Sequence, residues 1–114
     1  MILTIERKQI APDITVLEMN GRIIMGNNSR DVELKLAQVL NEHAKKIILD
    51  LSGITMLDST GVGILVLGQA KVRKEGGEIR IAGAKGVVED ILKMTSVDKL
   101  VRVFPTVEEA AATF

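Results

Sequence analysis

Hydrophobic and polar positions along the chain follow two periods, one typical of strands and one typical of helices. Residues 3–8 alternate between apolar and polar side chains, and residues 14–19 form a second apolar run after a turn at residues 11–13. Alternation of this kind predicts half-exposed strands, and the short turn predicts that they pair as a hairpin. Gly21 is a predicted bend, after which residues 22–24 continue the second strand.

Three later apolar runs predict further strands. Residues 46–51 are almost continuously apolar, which is typical of a strand that is covered on both faces and has a parallel neighbour. Residues 52–56 are predicted to form a loop. Residues 78–83 and 100–104 are the fourth and fifth predicted strands.

Helical spacing separates these strands. The helices are predicted from residues 27–29 to about residue 44, from 59 to about 75, around 87–92, and from 107 to 112. Asn27, Asn28 and Ser29 are the candidates for capping the first helix. Gly76 and Gly77 end the second one. Thr106, with Glu109 three residues later, predicts a capping box for the last helix.

This order of elements predicts the fold class. Strands that alternate with helices are typical of α/β domains with right-handed parallel crossovers, and the initial hairpin adds an antiparallel edge. We therefore expect a single domain over residues 1–114, with a mixed, mostly parallel sheet of about five strands and four helices.

The segment 57–63, with the sequence Leu-Asp-Ser-Thr-Gly-Val-Gly, joins the predicted central strand to the second helix. Ser59 is predicted to be the N-cap, because a serine oxygen accepts hydrogen bonds from the free amides of a first helical turn. A phosphate at this place would add about −1.5 to −2 charges where the helix dipole tolerates them. The hypothesis is that Ser59 is a phosphoacceptor and that the phosphate controls binding of a partner protein.

The helix that follows has an unusual distribution of glycine and apolar residues. Gly61 and Gly63 lie in its first turn, where glycine often permits close approach of another backbone or a phosphate. Ile64 and Leu67 fall outside the stripe that is expected to face the sheet. They are predicted to form an apolar docking surface beside Ser59, with coverage by neighbouring helices as the alternative. The stripe itself is predicted to consist of Val62, Leu65, Val66 and Ala70.

The charge balance argues against several classes of partner. Lys and Arg total 15, and Asp and Glu also total 15, so the formal net charge is zero. Such a chain has no bulk field to attract nucleic acid or anionic lipid. Aromatic residues make up only 2%, whereas proteins that bind single-stranded nucleic acid usually stack bases on aromatic rings. We expect neither a nucleic-acid nor a membrane partner.

Metal sites and membrane spans are also disfavoured. The chain has no cysteine and a single histidine, His43, which is expected to be solvated near the end of the first helix. No cofactor and no metal site are predicted. No apolar run reaches the roughly 18 residues of a membrane span, and the first residues lack the pattern of a signal peptide. The expected location is cytoplasmic.

Two enzymatic interpretations of the central segment are weak. The phosphate-binding signature Gly-x-x-x-x-Gly-Lys-Ser/Thr is absent, and Gly61-x-Gly63 lacks the third glycine of a dinucleotide site. Ser59 has Leu57 two positions before it, so it does not stand in the Gly-x-Ser-x-Gly turn of serine hydrolases. His43 is the only available imidazole base. The sequence therefore predicts a protein that is not an enzyme.

The motif Asp58-Ser59-Thr60-Gly61-Val62-Gly63, following residues 47–52, resembles the STAS domain of bacterial anti-sigma factor antagonists. The resemblance extends over nearly the whole chain. It includes residues 21–23, 76–83, 92–95 and 103–110.

The resemblance implies partner switching. The unphosphorylated antagonist would bind an anti-sigma factor that is also a serine kinase of the histidine-kinase-like ATPase fold, and would thereby release a sigma factor. Phosphorylation of Ser59 would dissociate the complex, and a PP2C-type phosphatase would remove the phosphate. Asp58 would order the loop at the helix start. Thr60, Gly61 and Gly63 would form the surface that the kinase recognises.

One segment departs from the pattern of the family. Many such antagonists carry an aspartate just after the second strand, whereas residues 21–26 here contain no acid. Two alternatives stay open: a STAS scaffold that is not phosphorylated, within a larger or lipid-transport assembly, and a nucleotide-sensing module.

Overall fold

The computed structural model describes residues 3–114, so the first two residues of the predicted domain lie outside the described part. The elements in chain order are β1 (Thr4–Ala11), β2 (Ile14–Ile23), α1 (Asn27–Asn41), β3 (Lys46–Leu57), α2 (Ser59–Lys74), β4 (Glu78–Ala82), α3 (Gly86–Met94), β5 (Arg102–Phe104) and α4 (Val107–Ala112). A short 3₁₀ turn, Val97–Lys99, precedes β5.

The strands form one sheet in the order β1-β2-β3-β4-β5. β1 and β2 are antiparallel, and every other neighbouring pair is parallel. The predicted fold class is therefore confirmed, with five strands and four α-helices within residues 3–114. The initial hairpin forms because a short turn permits antiparallel pairing, whereas each later parallel pair needs a longer crossover.

Alternating side chains of the central strands pack into two separate cores. Leu17, Ile47 and Leu49 face the side of the sheet that is covered by α1, α2 and α3. Val16 and Ile48 face the opposite side, where α4 covers them. This arrangement explains the continuously apolar run in β3, because both faces of the strand are buried.

The second core is closed by a buried cation. Arg80 on β4 is only 3% exposed, and its Nε lies 3.0 Å from Glu78 Oε2. Its Nη1 donates to the Ala110 carbonyl at 2.9 Å and to Thr113 Oγ1 at 2.7 Å. The guanidinium also lies 4.1 Å from the centre of the Phe114 ring. Arg80 therefore ties the last helix and the residues after it to the sheet.

β3 is longer than the sequence predicts, and the predicted loop at residues 52–56 is wrong. These residues continue β3 and pair with β2 across two irregularities in the register. The sequence predicts that Gly53 lies in a loop, but a Cβ at this position of β3 would lie 1.8 Å from Asn20 Oδ1. The glycine therefore permits close strand approach at a bulge, which is a pairing effect that local sequence does not reveal.

Several helix ends also differ from expectation. The cap of α1 is Gly26, so Asn27, Asn28 and Ser29 lie inside the helix and the predicted side-chain cap is wrong. The positive φ of 116° at Gly26 favours glycine over the predicted residues. α1 ends at Asn41, a little before the predicted end. In α4, by contrast, Thr106 Oγ1 accepts from the Glu109 amide at 3.1 Å, as predicted.

Candidate functional site

Asp58, and not Ser59, caps α2. One oxygen of its carboxylate, Oδ1, accepts the backbone amide of Gly61 at 2.9 Å. Ser59 is the first residue of the helix. The predicted cap is therefore off by one position. Both residue types are good caps, and the tertiary contacts of the aspartate decide between them.

Those contacts tie the start of α2 to the end of β2. The second oxygen, Asp58 Oδ2, accepts the backbone amide of Met25 at 2.9 Å. The Asp58 amide in turn donates to the Ile23 carbonyl at 3.2 Å. A carboxylate has two oxygens and can accept one amide on each. A serine side chain has a single oxygen and could not reach both amides in this way. Asp58 thus orders the loop after β2, in keeping with the ordering role that the resemblance implies.

Ser59 is exposed at the start of α2. It follows the capping residue directly, so it lies within the first turn, where backbone amides are not used by the helix itself. A phosphate on this hydroxyl would sit at the positive end of the helix dipole. The position therefore combines access for a kinase with local tolerance of negative charge. Thr60 beside it is half-buried.

The two glycines of the motif have different surroundings. Gly61 is buried, and a Cβ there would lie 2.6 Å from both the Ile23 carbonyl oxygen and Leu57 Cδ1. This residue permits close backbone approach, as predicted for a glycine at this helix start, but it offers little surface to a partner. A Cβ at Gly63 would meet nothing within 4 Å. Of the two, Gly63 is the one beside open space.

The apolar residues of α2 divide only partly as predicted. Leu67 is 59% exposed, and Ile64 is half-buried against the first core. Leu65 is fully buried, whereas Ala70 is exposed, so the prediction that Ala70 faces the sheet is wrong. Gly68 and Gln69 are the buried residues of that turn, and Gln69 Oε1 accepts the Ile79 amide at 2.7 Å. A hydrophobic pattern assigns only apolar residues to the buried face of a helix, so it does not predict a buried glutamine there.

Sequence reasoning missed the contribution of the loop after β2. Met25 is 76% exposed, and its backbone is held beside the motif by Asp58. Met56, three residues before Ser59, is 41% exposed. Exposed methionines are adaptable contact residues at protein interfaces. No local signal links Met25 to Ser59, because only the pairing of β2 with β3 brings the two segments together.

The Asp58 carboxylate is stabilised in its charged form. Partial burial by itself would raise the pKa of Asp58, but hydrogen bonds from the backbone amides of Gly61 and Met25 hold the pKa below its ordinary value. A lowered folded pKa means that the carboxylate stabilises the fold fully above the pKa of an unfolded aspartate, about 4. This stabilisation is lost as the pH falls through the lower folded value.

Replacing Asp58 with alanine should lower the free energy of unfolding by about 1.5 kcal/mol at neutral pH, because both accepted amides lose their partner. Urea unfolding of both proteins at a series of pH values measures the difference. The difference in unfolding free energy between the two proteins should shrink as the pH falls below about 4. Asp90→Ala, which removes an exposed carboxylate from α3, is the control and should change little. A difference that stays constant down to acidic pH would contradict the role of the charge.

His43 is exposed just after α1, with a left-handed φ of 64°. Within residues 3–114, no group of three or more His, Asp or Glu side chains is placed to hold a metal ion. Across the same residues, no helix combines the length and the hydrophobicity that crossing a membrane requires.

The fold and the loop–helix motif define a STAS-type α/β domain. The STAS domain profile matches residues 7–110. The chain belongs to the STAS domain family, which confirms the family resemblance of the motif.

Known relatives share this architecture. A Thermotoga maritima protein named "Putative anti-sigma factor antagonist" is 26% identical over 102 residues, which is 90% of each chain. The crystal structure of an anti-sigma factor antagonist from Mycobacterium paratuberculosis superposes with a TM-score of 0.88 at 24% identity, covering 98% of this chain and 93% of that one. The STAS domain of a SulP transporter from Vibrio cholerae has a TM-score of 0.74 at 22% identity, covering 92% and 83%.

Proposed function

We propose that this chain is an anti-sigma factor antagonist that is switched off by phosphorylation of Ser59. In its unphosphorylated form it binds an anti-sigma factor with serine kinase activity and so releases a sigma factor. The kinase then transfers the γ-phosphate of ATP to Ser59 Oγ, with ADP as the leaving group and loss of the hydroxyl proton. A PP2C-type phosphatase hydrolyses the phosphoserine and restores binding. The proposal places the protein in the cytoplasm.

The exposure of Ser59 in the first turn of α2 carries this proposal. A kinase can reach this hydroxyl without unfolding the domain, because Asp58 and not Ser59 makes the structural cap. The surrounding surface has apolar and small residues, including Gly63 and Leu67. A dianion placed beside such a surface would repel a partner that fits the uncharged form, because the partner would have to desolvate the charge.

The structural similarity to SpoIIAA, an anti-sigma factor antagonist from Bacillus, is consistent with a switch that preserves the fold. The unphosphorylated form of SpoIIAA has a TM-score of 0.73 to this chain, and the phosphorylated form has 0.72, both at 15% identity. Both forms of that protein therefore share the fold described for residues 3–114. We expect phosphate on Ser59 to act on the binding surface and not on the architecture.

The first test is transfer of phosphate. The purified chain is incubated with ATP and, one at a time, with the anti-sigma factor serine kinases encoded in the same genome. Intact mass spectrometry and peptide fragmentation should then show one phosphate on Ser59, and none on the Ser59→Ala variant. If no kinase adds phosphate, the alternative of an unphosphorylated STAS scaffold is favoured and the switch proposal fails.

The second test is binding to the kinase that modifies Ser59. The Ser59→Ala variant should stay bound, whereas Ser59→Asp should bind about 100-fold more weakly, or about 2.7 kcal/mol, with an unchanged unfolding midpoint. Ser96→Asp is the matched control, since it adds the same charge at an exposed serine beyond α3. Equal affinity of the Ser59→Asp variant and the unmodified chain would rule out the proposed switch.

A further inference from the structure

A groove runs between α1 and α2, on the helix that begins at Ser59. One cavity of the groove has a volume of 110 Å³. Its apolar lining consists of Leu36, Ala37 and Leu40 of α1 and of Ile64, Leu67 and Gly68 of α2. The charged residues Glu33 and Lys71 also line it. The two helices run side by side in the same direction, because each crosses between parallel strands of one sheet. The exposed Leu67 stands on the wall of this groove.

The groove continues into a charged end. A second cavity of 330 Å³ shares Ala37, Leu40 and Lys71 with the first, and Lys74 and Glu75 also line it. Residues 59–70 of α2 contain no charged side chain, whereas the last turn of the helix is basic. The groove thus changes along its length from a largely apolar end that carries Glu33 to a lysine-rich end.

The positive charge at this end is not neutralised by ion pairs within residues 3–114. Lys71 and Lys74 are exposed, and neither takes part in a salt bridge there. Lys45 Nζ donates to the backbone carbonyl of Glu75, but Lys45 lines a different cavity. The carboxylates near the groove are Glu75 at this end and Glu33 at the other. Two lysines and one carboxylate therefore line the lysine-rich end.

We propose that the α1–α2 groove binds an amphipathic helix of the partner protein, with acidic residues at the end that meets Lys71 and Lys74. An apolar floor between two helices fits the ridge of a third helix, whose apolar residues recur at spacings of three and four. Unpaired lysines at one end favour carboxylates there and fix the direction of the bound helix. The inference deepens the proposed function, because Ser59 lies about two turns before Leu67 on the same helix.

The groove can be tested without knowing the partner. The probe is a displayed library of helical peptides of about 16 residues with randomised surface positions, selected on the purified chain. We expect enrichment of peptides with apolar residues at helical spacing and with Asp or Glu clustered at one end. In NMR spectra, the best peptide should shift amide signals of residues 36–41 and 64–75.

Charge reversal in the groove is the decisive comparison. The Lys71→Glu/Lys74→Glu variant should bind the selected peptides at least about tenfold more weakly and should enrich basic peptides in their place. The Lys93→Glu/Lys99→Glu variant changes the net charge equally on exposed residues of the α3 side and should bind as the unmodified chain does. A selection without acidic enrichment, no enriched peptide at all, or shifts confined to other surfaces would overturn the inference.

This proposal and the phosphorylation proposal can fail separately. The peptide selection uses no kinase, and the mass measurement of phosphate on Ser59 uses no peptide. If acidic helices bind the groove but no kinase modifies Ser59, the groove inference stands and the switch does not. If Ser59 is phosphorylated but charge reversal leaves peptide binding unchanged, the switch stands and the groove inference is wrong.

Discussion

The Arg80→Met variant should lose about 3 kcal/mol of unfolding free energy, and α4 should detach from the sheet before the rest of the domain unfolds. Arg80 is nearly fully buried and donates to the carbonyls of Ala110 and Thr113 as well as to Thr113 Oγ1. Methionine has a similar length but no donor, so these acceptors and the Glu78 carboxylate would lose their partner. Ala110 is fully buried whereas Thr113 is exposed, so the Ala110 carbonyl is the acceptor that would be left buried without a partner, at a cost of about 1–3 kcal/mol.

Two measurements check this prediction. Urea unfolding gives the loss of free energy, and amide hydrogen exchange should show reduced protection in residues 107–112. Arg102→Met is the control, because both arginines lie near the centre of the Phe104 ring, Arg80 at 5.3 Å and Arg102 at 6.0 Å, but Arg102 is exposed on β5. We expect it to change stability by less than about 0.5 kcal/mol. If both variants behaved alike, the buried hydrogen bonds of Arg80 would not be what holds α4.

The Gly61→Ala variant should be destabilised by about 3 kcal/mol, because its new methyl group has no room. The Cβ would lie 2.6 Å from the Ile23 carbonyl oxygen, which is backbone and accepts the Asp58 amide. Relieving the clash requires α2 to move away from β2, which would weaken that hydrogen bond. Overpacking at well-packed positions typically costs about 1–3 kcal/mol. We expect a cost near the upper end of this range, about 3 kcal/mol, because the atom that the new methyl group meets belongs to the backbone.

Gly63→Ala is the matched control two residues later in the same turn. A Cβ there meets nothing within 4 Å, so the variant should gain up to about 1 kcal/mol from the higher helix propensity of alanine. Thermal unfolding of both variants gives the comparison. Should Gly61→Ala prove as stable as the unmodified chain, the tight contact between β2 and α2 would not exist as described. The Gly63 variant keeps the fold, so it also reports whether a methyl group there disturbs partner binding.

Much of the fold could be predicted because its signals are local. The continuously apolar run of β3 predicts a strand that is buried on both faces, and the two cores show why. Thr106 caps α4 as the pattern with Glu109 predicts. Gly76, with a φ of 82°, follows α2 where the predicted end lies. Each of these features depends on residues within a few positions of one another.

The site was predicted only in part. The motif 58–63 joins β3 to α2 as predicted. Ser59 and Leu67 are exposed, whereas Ile64 of the predicted docking surface is half-buried against the first core. The role of Ser59 as the phosphoacceptor stays a prediction. The cap was assigned to the wrong residue, since the contacts of Asp58 with Ile23 and Met25 join segments that are 33 or more residues apart. The sequence around each residue predicts neither those contacts nor the exposure of the Met25 side chain.

The sequence by itself determined the class of fold, the order of the elements and the position of the motif, because periodicity and turn chemistry act over a few residues. Only the tertiary structure decided which carboxylate caps α2, why Gly61 must lack a side chain, and which apolar residues remain exposed. These properties depend on β2 lying against β3 and α1 lying beside α2. Contacts between segments that are distant in the chain are fixed by packing of the whole domain, and a local pattern carries no information about them.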